Sequence, residues 1–347
     1  MDKVKLGFVG CGFMGQLIHM PNFLSSEQCE VVALADLRFE LAKKVAAHYH
    51  IPKVYGSDLE MAKDQEVTAV AAISSEARNP ELAMHLLAAG KHVYLEKPMA
   101  GTAALGREMA EAARKAGKHL MIAYMKRCDT GVLKAKEIVD EYRSTGELGR
   151  VTYARGHCFG GDWVYGPQGK LIQTEEKYPG LAAPRPEWVP EGWGQFYHGF
   201  NNVYCHNINL MRHFLGEPDG VASSLLNRGS SHVVFDYGSF LATLEAGHMS
   251  AHRWDEHFVI YYENGSVTIN FPPPLSRNEP ARVLVYRGGK MRELSEHFAV
   301  PDWAFRREAE HFLECVRENR EPVSSGADSV RDLELVEEIF RRGLKKC

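Results

Sequence analysis

Gly10-Cys11-Gly12-Phe13-Met14-Gly15 is the first place in the chain where residue types and spacing could do chemistry. These glycines follow the apolar run Val4-Lys5-Leu6-Gly7-Phe8-Val9, so they describe a tight turn between a strand and a helix. Gly10 allows the turn, Gly12 lets the backbone approach a pyrophosphate, and Gly15 lets the helix pack close to the strand. A helix beginning there offers free N–H groups and the positive end of a dipole to phosphate. A glycine-rich turn by itself is only a turn, so a second element has to agree. Val31-Val32-Ala33-Leu34-Ala35 is another apolar run, and it ends in Asp36, about 20 residues beyond Gly15, where a dinucleotide fold places its ribose-binding acid. A carboxylate there accepts hydrogen bonds from the ribose hydroxyls and repels a 2′-phosphate, which predicts NAD. Arg38 stands close enough in sequence to pair with such a phosphate, so NADP is disfavoured rather than excluded. The expected cofactor contacts are Gly10, Gly12, Phe13, Met14, Gly15, Asp36, Leu37 and Arg38.

The elements that must hold these residues follow in order. Phe39 to Tyr49 carries Leu41, Val45 and Ala46 at helical spacing. Pro21 predicts a break or kink in the first helix after Met20. Ser57 can cap a short helix from Asp58. Val67 to Ile73 is a buried strand that delivers Ser74 and Ser75 to the same edge as the glycine turn, where their hydroxyls can line the cofactor or simply begin a loop. Pro80 opens a helix that Gly90 closes. His92-Val93-Tyr94-Leu95 runs into Glu96-Lys97-Pro98, and a helix from Ala103 to Ala116 leads to the strand Leu120 to Tyr124. This alternation predicts a mostly parallel sheet covered on both faces, with ligands outside the carboxyl ends of its strands.

Composition narrows the remaining choices. At 347 residues the chain suits two domains, and 45% hydrophobic with 25% charged residues is an ordinary globular balance. A formal net charge of -4 gives no electrostatic reason to expect nucleic acid or an anionic membrane surface. The first residues run straight into a strand, without the basic and apolar regions of a secretion signal, and no segment approaches ~20 uninterrupted apolar residues. The seven cysteines are scattered, with no C-x-x-C, so neither a disulfide framework nor a thiolate metal site is expected. A cytoplasmic protein with a small neutral partner fits these features.

Gly90-Lys91-His92-Val93-Tyr94-Leu95-Glu96-Lys97-Pro98, together with the N-terminal glycine turn, resembles the Gfo/Idh/MocA family of glucose-fructose oxidoreductases and inositol dehydrogenases. The resemblance implies that Lys97 lies beside the nicotinamide and the substrate, with Glu96 also at the cofactor. Physical chemistry supports that role, because an ammonium can stabilise the alkoxide developing on a hydroxyl as hydride leaves its carbon. Lys126-Arg127, the helical run Gly131 to Tyr142 and the ending around Arg320-Glu321-Pro322-Val323 resemble the family too, so the likeness covers nearly the whole chain.

Strands are readable at Val151 to His157, Val221 to Asn227, Val233 to Tyr237, Phe240 to Ala246, Phe258 to Tyr262, Ser266 to Phe271 and Arg282 to Arg287. Strands without intervening helices predict an antiparallel sheet. The expected fold class is α/β: a Rossmann domain over 1–125, then an α+β domain over 126–347 with a large, mostly antiparallel open sheet and C-terminal helices. One broad sheet face without helices to cover it predicts a homo-oligomer, a dimer or tetramer.

The family's catalytic pattern, D-x-x-x-H-x-x-D ahead of a helix ending in glycine, reads here as Asn202-Val203-Tyr204-Cys205-His206-Asn207-Ile208-Asn209. The resemblance makes His206 the proton acceptor. Asn202 and Asn209 replace both acids; they can orient a hydroxyl or the imidazole but supply no negative charge to favour a protonated ring. Asn79 stands where the family often has histidine, and no function is read from it. His248, His252 and His257 lack a helical H-x-x-x-H arrangement, and no metal is assigned to them. Phe159 to Phe200 is rich in glycine, proline and aromatic residues, among them Trp163, Tyr165, Trp188, Trp193, Phe196 and Tyr197. So long a loop is usually functional, and it reads as a substrate wall suited to sugar faces or as an oligomer contact. Arg127, Trp163, Trp193, Tyr197, Asn202 and Asn209 are the expected substrate contacts.

The resulting expectation is an NAD-dependent oxidoreductase acting on a secondary hydroxyl of a sugar, cyclitol or glycoside. Two alternatives stay open. One is a hydrolase or lyase that oxidises a ring carbon transiently and returns the hydride. The other is a non-catalytic NAD-binding sensor.

Overall fold

The computed structural model describes residues 3–164, 169–249, 253–290 and 292–345. Contacts divide the chain into two compact units, Met1–Tyr124 with Gln168–Trp188 and Phe305–Leu333, and Met125–Pro167 with Val189–Ala304 and Glu334–Cys347.

In the first unit β1 (Val4–Val9), α1 (Met20–Ser25), β2 (Cys29–Ala35), α2 (Phe39–Tyr49), β3 (Lys53–Tyr55), α3 (Asp58–Ala62), β4 (Ala69–Ala72), α4 (Asn79–Ala88), β5 (His92–Glu96), α5 (Ala103–Ala116) and β6 (Leu120–Ala123) alternate. The strands form one parallel sheet in the order β3-β2-β1-β4-β5-β6. The order reverses between β1 and β4, which makes the crevice there the binding edge of a doubly wound sheet. All residues of β4 and β6 are buried, as expected of parallel strands covered on both faces. Ser57 caps α3 by accepting from Glu60 N at 3.2 Å, and Thr102 caps α5 through Leu105 N at 3.2 Å.

Two readings of this unit change. Helical structure does not break after Met20: Gly15–His19 is a π-helical turn, with Met20 N donating to Gly15 O, and it runs directly into α1. The wider turn falls before Pro21 and removes the carbonyl clash that an α-helical proline would make. The strand β3 has no counterpart in the sequence reading, because a three-residue edge strand carries no periodicity.

The second unit contains α6 (Thr130–Thr145), β7 (Val151–Gly160), α7 (Gly194–Leu215), β8 (Gly220–Asn227), β9 (Ser230–Asp236), β10 (Leu241–His248), β11 (Asp255–Tyr262), β12 (Gly265–Asn270), β13 (Arg282–Arg287) and β14 (Glu293–His297). Its eight-stranded sheet has the order β14-β13-β12-β11-β7-β10-β9-β8. Only β7 and β10 pair in parallel; the other neighbours are antiparallel. The open, mostly antiparallel sheet is thus as the strand pattern predicts. The unpredicted β14 is again an edge, and its polar Glu-Leu-Ser-Glu-His is the kind of sequence that keeps an edge from pairing with another chain. Two further helices end the described chain, α8 (Ala304–Glu318) and α9 (Gly326–Leu344).

Phe159 to Phe200 is shorter as a loop than its composition indicates. β7 extends through Gly160 and α7 already begins at Gly194, so the Asn202–Asn209 stretch lies inside a 22-residue helix rather than ahead of one. Tertiary packing overrides the weak local signal: Tyr197 and Phe200 meet Phe340 edge-on, with ring centroids 4.9 and 5.5 Å away. Among the described residues no helix is long and apolar enough to cross a membrane.

Candidate functional site

The glycine turn is fixed by sterics. Gly10 has φ 100°, and a Cβ on it would lie 2.0 Å from Ile73 O. A Cβ on Gly15 would lie 2.2 Å from Gly10 O, whereas nothing lies within 4 Å of one on Gly12. The turn is therefore closed on the protein side and open at Gly12, which fits a dinucleotide whose pyrophosphate passes close to the backbone. Met14 packs its side chain against the core, and Phe13 shares the first helical turn with it. Leu37 is 37% exposed beyond the end of β2.

Asp36 is 4% exposed and densely bonded. Its Oδ2 accepts from Cys11 N at 2.7 Å and its Oδ1 from Arg38 N at 2.8 Å. The Arg38 guanidinium closes on the same carboxylate, Nε to Oδ1 at 3.0 Å and Nη2 to Oδ2 at 2.9 Å. Burial, and then the charge of Asp36, push the Cys11 thiol up, so it is a neutral packing group.

Lys97 follows the last residue of β5, at the same sheet edge as the glycine turn and half-buried. The polypeptide around it is held by Asn79, to which the sequence reading gives no role. Asn79 is fully buried; its Nδ2 donates to Glu96 O at 2.8 Å and Pro98 O at 2.9 Å, and its Oδ1 accepts from Ser74 Oγ at 2.8 Å. One amide thus ties the end of β4 to both residues flanking Lys97, through a Lys97–Pro98 peptide that is cis. Ser75 is exposed, and its carbonyl accepts from Arg78 N and Asn79 N. The Glu96 carboxylate turns inward to His19 Nε2 at 3.1 Å. His19 Nδ1 lies 3.1 Å from Tyr94 Oη, which donates to Glu308 Oε2 at 2.6 Å. Burial pushes Glu308 well above the usual carboxylate range, which favours its neutral form at the inner end of this polar chain.

In the second unit Asn202, His206 and Asn209 occur at helical spacing on α7. Asn202 is exposed, His206 half-buried and Asn209 1% exposed. Arg127 is buried and donates through Nη2 to Asn209 O at 3.3 Å, so it braces the α7 backbone. Beside it Lys126 pairs with Glu256, which also accepts from Asn207 Nδ2 at 2.8 Å and Trp254 Nε1 at 2.9 Å. This buried cluster fixes the helical turn carrying His206. Trp163 is 46% exposed, and Trp193 lies under Arg228, 5.4 Å from its ring centroid. Tyr197 departs from the expected substrate wall: it is fully buried against Phe340, because its position on α7 faces the core. Tyr165 lies outside the described residues.

The histidines group differently from their order in sequence. His248 is exposed at the end of β10 and His252 lies outside the described residues. His257 instead stacks on His157, its cross-strand partner, at 4.6 Å. Asp255 lies 3.8 Å from His157 Nε2 and 3.8 Å from His257 Nδ1. These side chains could hold a divalent cation with Glu245 orienting His157 at 2.7 Å, although Arg155 at 3.0 Å already neutralises that carboxylate. Burial, followed by the neighbouring His157, lowers the His257 pKa.

Residues 4–124 match the oxidoreductase family with an NAD-binding Rossmann fold, Gfo/Idh/MocA. The likeness to that family model covers this part of the chain. The inositol 2-dehydrogenase of Salmonella typhimurium is 32% identical over 175 residues, 49% of this chain and 50% of the relative, so the chain spans about half the length of such relatives in these matches. The scyllo-inositol 2-dehydrogenase (NAD(+)) of Bacillus subtilis is 22% identical over 360 residues, covering 99% of this chain and 95% of its own. Among solved structures, the aldose-aldose oxidoreductase of Caulobacter crescentus superposes with a TM-score of 0.78 at 22% identity, over 100% of this chain and 99% of that one. The whole-chain likeness is one of fold: a Rossmann unit followed by a large, mostly antiparallel sheet.

Proposed function

We propose that the protein is an NAD-dependent oxidoreductase that moves hydride between nicotinamide and a secondary hydroxyl or ketone of a sugar, cyclitol or glycoside. The observation that carries this reading is the shared binding edge of the first unit. There the open glycine turn, the Asp36 carboxylate and Lys97 all follow the carboxyl ends of strands in one parallel sheet. The relatives named as inositol dehydrogenases support the substrate class.

Gly10, Gly12 and Gly15 would hold the pyrophosphate, Asp36 the adenosine ribose, and the nicotinamide when bound accepts or returns the hydride. Lys97 steadies the oxygen from which the hydroxyl proton departs. His206 takes that proton, and Asn202 orients the hydroxyl without placing a charge beside the imidazole. Asn209, Arg127, Trp163 and Trp193 complete the reading, with Asn209 and Arg127 holding α7 in place. Purified protein, NAD or NADP, and a panel of polyols, sugars and glycosides followed by absorbance of the reduced cofactor test the proposal. Glycoside cleavage without net reduction would instead support transient oxidation, and binding without turnover on any member would support a sensor.

The same reading includes a closed homo-oligomer, dimer or tetramer, working in a reducing cytoplasm that suits the six cysteines among the described residues, all of them buried free thiols. Register places Leu225, Leu241, Tyr261, Tyr286 and Leu294 on one sheet face, all 37% exposed or more. Apolar side chains spread across an open sheet face, interspersed with polar ones such as Ser266 and Asp236, suit a docking surface for a second copy. Sedimentation showing monomers at micromolar concentration would remove it.

A further inference from the structure

Segment Gln168–Trp188 belongs to the first unit although it follows β7 in sequence. It is tied down at Gln16, whose Nε2 donates to Ile172 O at 3.0 Å while its Oε1 accepts from Ile172 N at 2.9 Å. Four residues on, the Glu176 carboxylate reaches the N-terminus of α2: Oε1 accepts from Glu40 N at 3.2 Å and Oε2 from Leu41 N at 2.9 Å, with Thr174 Oγ1 adding a bond to Oε2 at 3.1 Å. Tyr178 then covers the guanidinium of Arg38, 5.4 Å from its ring centroid.

This arrangement bears on the second hydroxyl of the adenosine ribose. The 2′ position of a dinucleotide lies at the acid ending the second strand, and a 2′-phosphate there is held by a neighbouring arginine and by the free N–H groups opening the next helix. Here both resources are committed. Arg38 gives Nε and Nη2 to Asp36, and the first-turn donors of α2 already hold an anion of the protein's own. The two backbone bonds outweigh burial and lower the Glu176 pKa, so its negative charge is fixed at neutral pH.

We propose that Glu176 is a second determinant of cofactor choice, an internal carboxylate that occupies the 2′-phosphate position and excludes NADP independently of Asp36. The inference rests on the NAD reading above and adds a consequence: substituting Asp36 alone does not convert the preference. Removing Asp36 frees Arg38, yet the α2 donors remain filled and the negative charge remains.

Titration calorimetry of the full chain with NAD and with NADP tests this without any substrate. The wild type is expected to bind NAD more tightly. Glu176→Gln, which keeps an acceptor but removes the charge, should tighten NADP by about tenfold while NAD changes less than about twofold, the scale for removing one charge beside a phosphate in a partly solvated site. Asp36→Ser alone should leave NADP the weaker ligand, and Asp36→Ser combined with Glu176→Gln should bring NADP level or ahead. Added salt should narrow the wild-type NAD:NADP ratio more than the Glu176→Gln ratio, in which only the Asp36 charge remains, whereas a purely structural cap would leave the two salt dependences equal. Thermal melting of each variant checks folding, and Glu176→Ala repeats the measurement should the glutamine form melt early. A Glu176→Gln ratio within twofold of the wild type overturns the role of Glu176 and leaves the NAD assignment standing. Equal wild-type affinities for both cofactors overturn the NAD assignment itself.

Discussion

Replacing Asn79 by alanine should both destabilise the first unit and impair turnover. The side chain makes three hydrogen bonds, the two buried ones donated to the carbonyls of Glu96 and Pro98 on either side of Lys97 and a half-buried one accepted from Ser74. Truncation leaves those carbonyls and the Ser74 hydroxyl without this partner, at about 1–3 kcal/mol for each buried group left unmade. Oxygens with a second lone pair elsewhere engaged lose less, so a total of about 2–4 kcal/mol is expected in urea denaturation. Asn79→Asp is the informative control. It keeps the acceptor for Ser74 but sets a carboxylate oxygen against two carbonyls, so it should cost more than alanine at neutral pH and recover as the solution is acidified. Loosening the turn by about 1 Å should lower kcat by about 10²-fold, with NAD affinity changed much less because the glycine turn is untouched. An alanine variant within about 1 kcal/mol of wild type, or an aspartate variant as stable as asparagine, would refute the reasoning.

Lys97→Ala should lower turnover by about 10²–10³ with the NAD dissociation constant nearly unchanged; normal turnover would take Lys97 out of the mechanism. Glu256→Gln leaves buried Lys126 without its counter-charge and should cost about 3–5 kcal/mol, and adding Lys126→Met should recover part of that loss; strictly additive denaturation energies would show that the pair is not coupled. Glu308 has a folded-state pKa above its unfolded value, so the folded chain keeps a proton that the unfolded chain releases. Its contribution is therefore fullest in acid and declines as pH rises above the ordinary glutamate pKa of about 4.3. Glu308→Gln should flatten the fall of melting temperature with pH between about 5 and 8, and identical slopes would count against a protonated Glu308. Trp188→Ala with Trp193→Ala should raise KM or lower kcat without changing the state of association if the loop serves substrate; a changed state of association with unchanged kinetics would make it an interface element.

The sequence determined most of the first unit because its signals are local. A strand, a glycine turn, a helix and an acid about 20 residues on leave few folds, and steric clashes of 2.0–2.2 Å at Gly10 and Gly15 show why only glycine serves there. Alternation of apolar residues likewise located the long strands of the second sheet. Edge strands β3 and β14 escaped because neither has a buried face to impose a period. Tertiary structure alone decided the rest. Asn79 reads as a departure from a family pattern until its amide is seen holding both sides of Lys97, across 17 to 19 residues of chain. Tyr197 reads as an aromatic wall until packing on Phe340 turns it inward. Glu176 is one acid in an irregular segment; what makes it a candidate determinant of cofactor choice is a hydrogen bond to Leu41, 135 residues away, and no local pattern encodes a pairing over that distance.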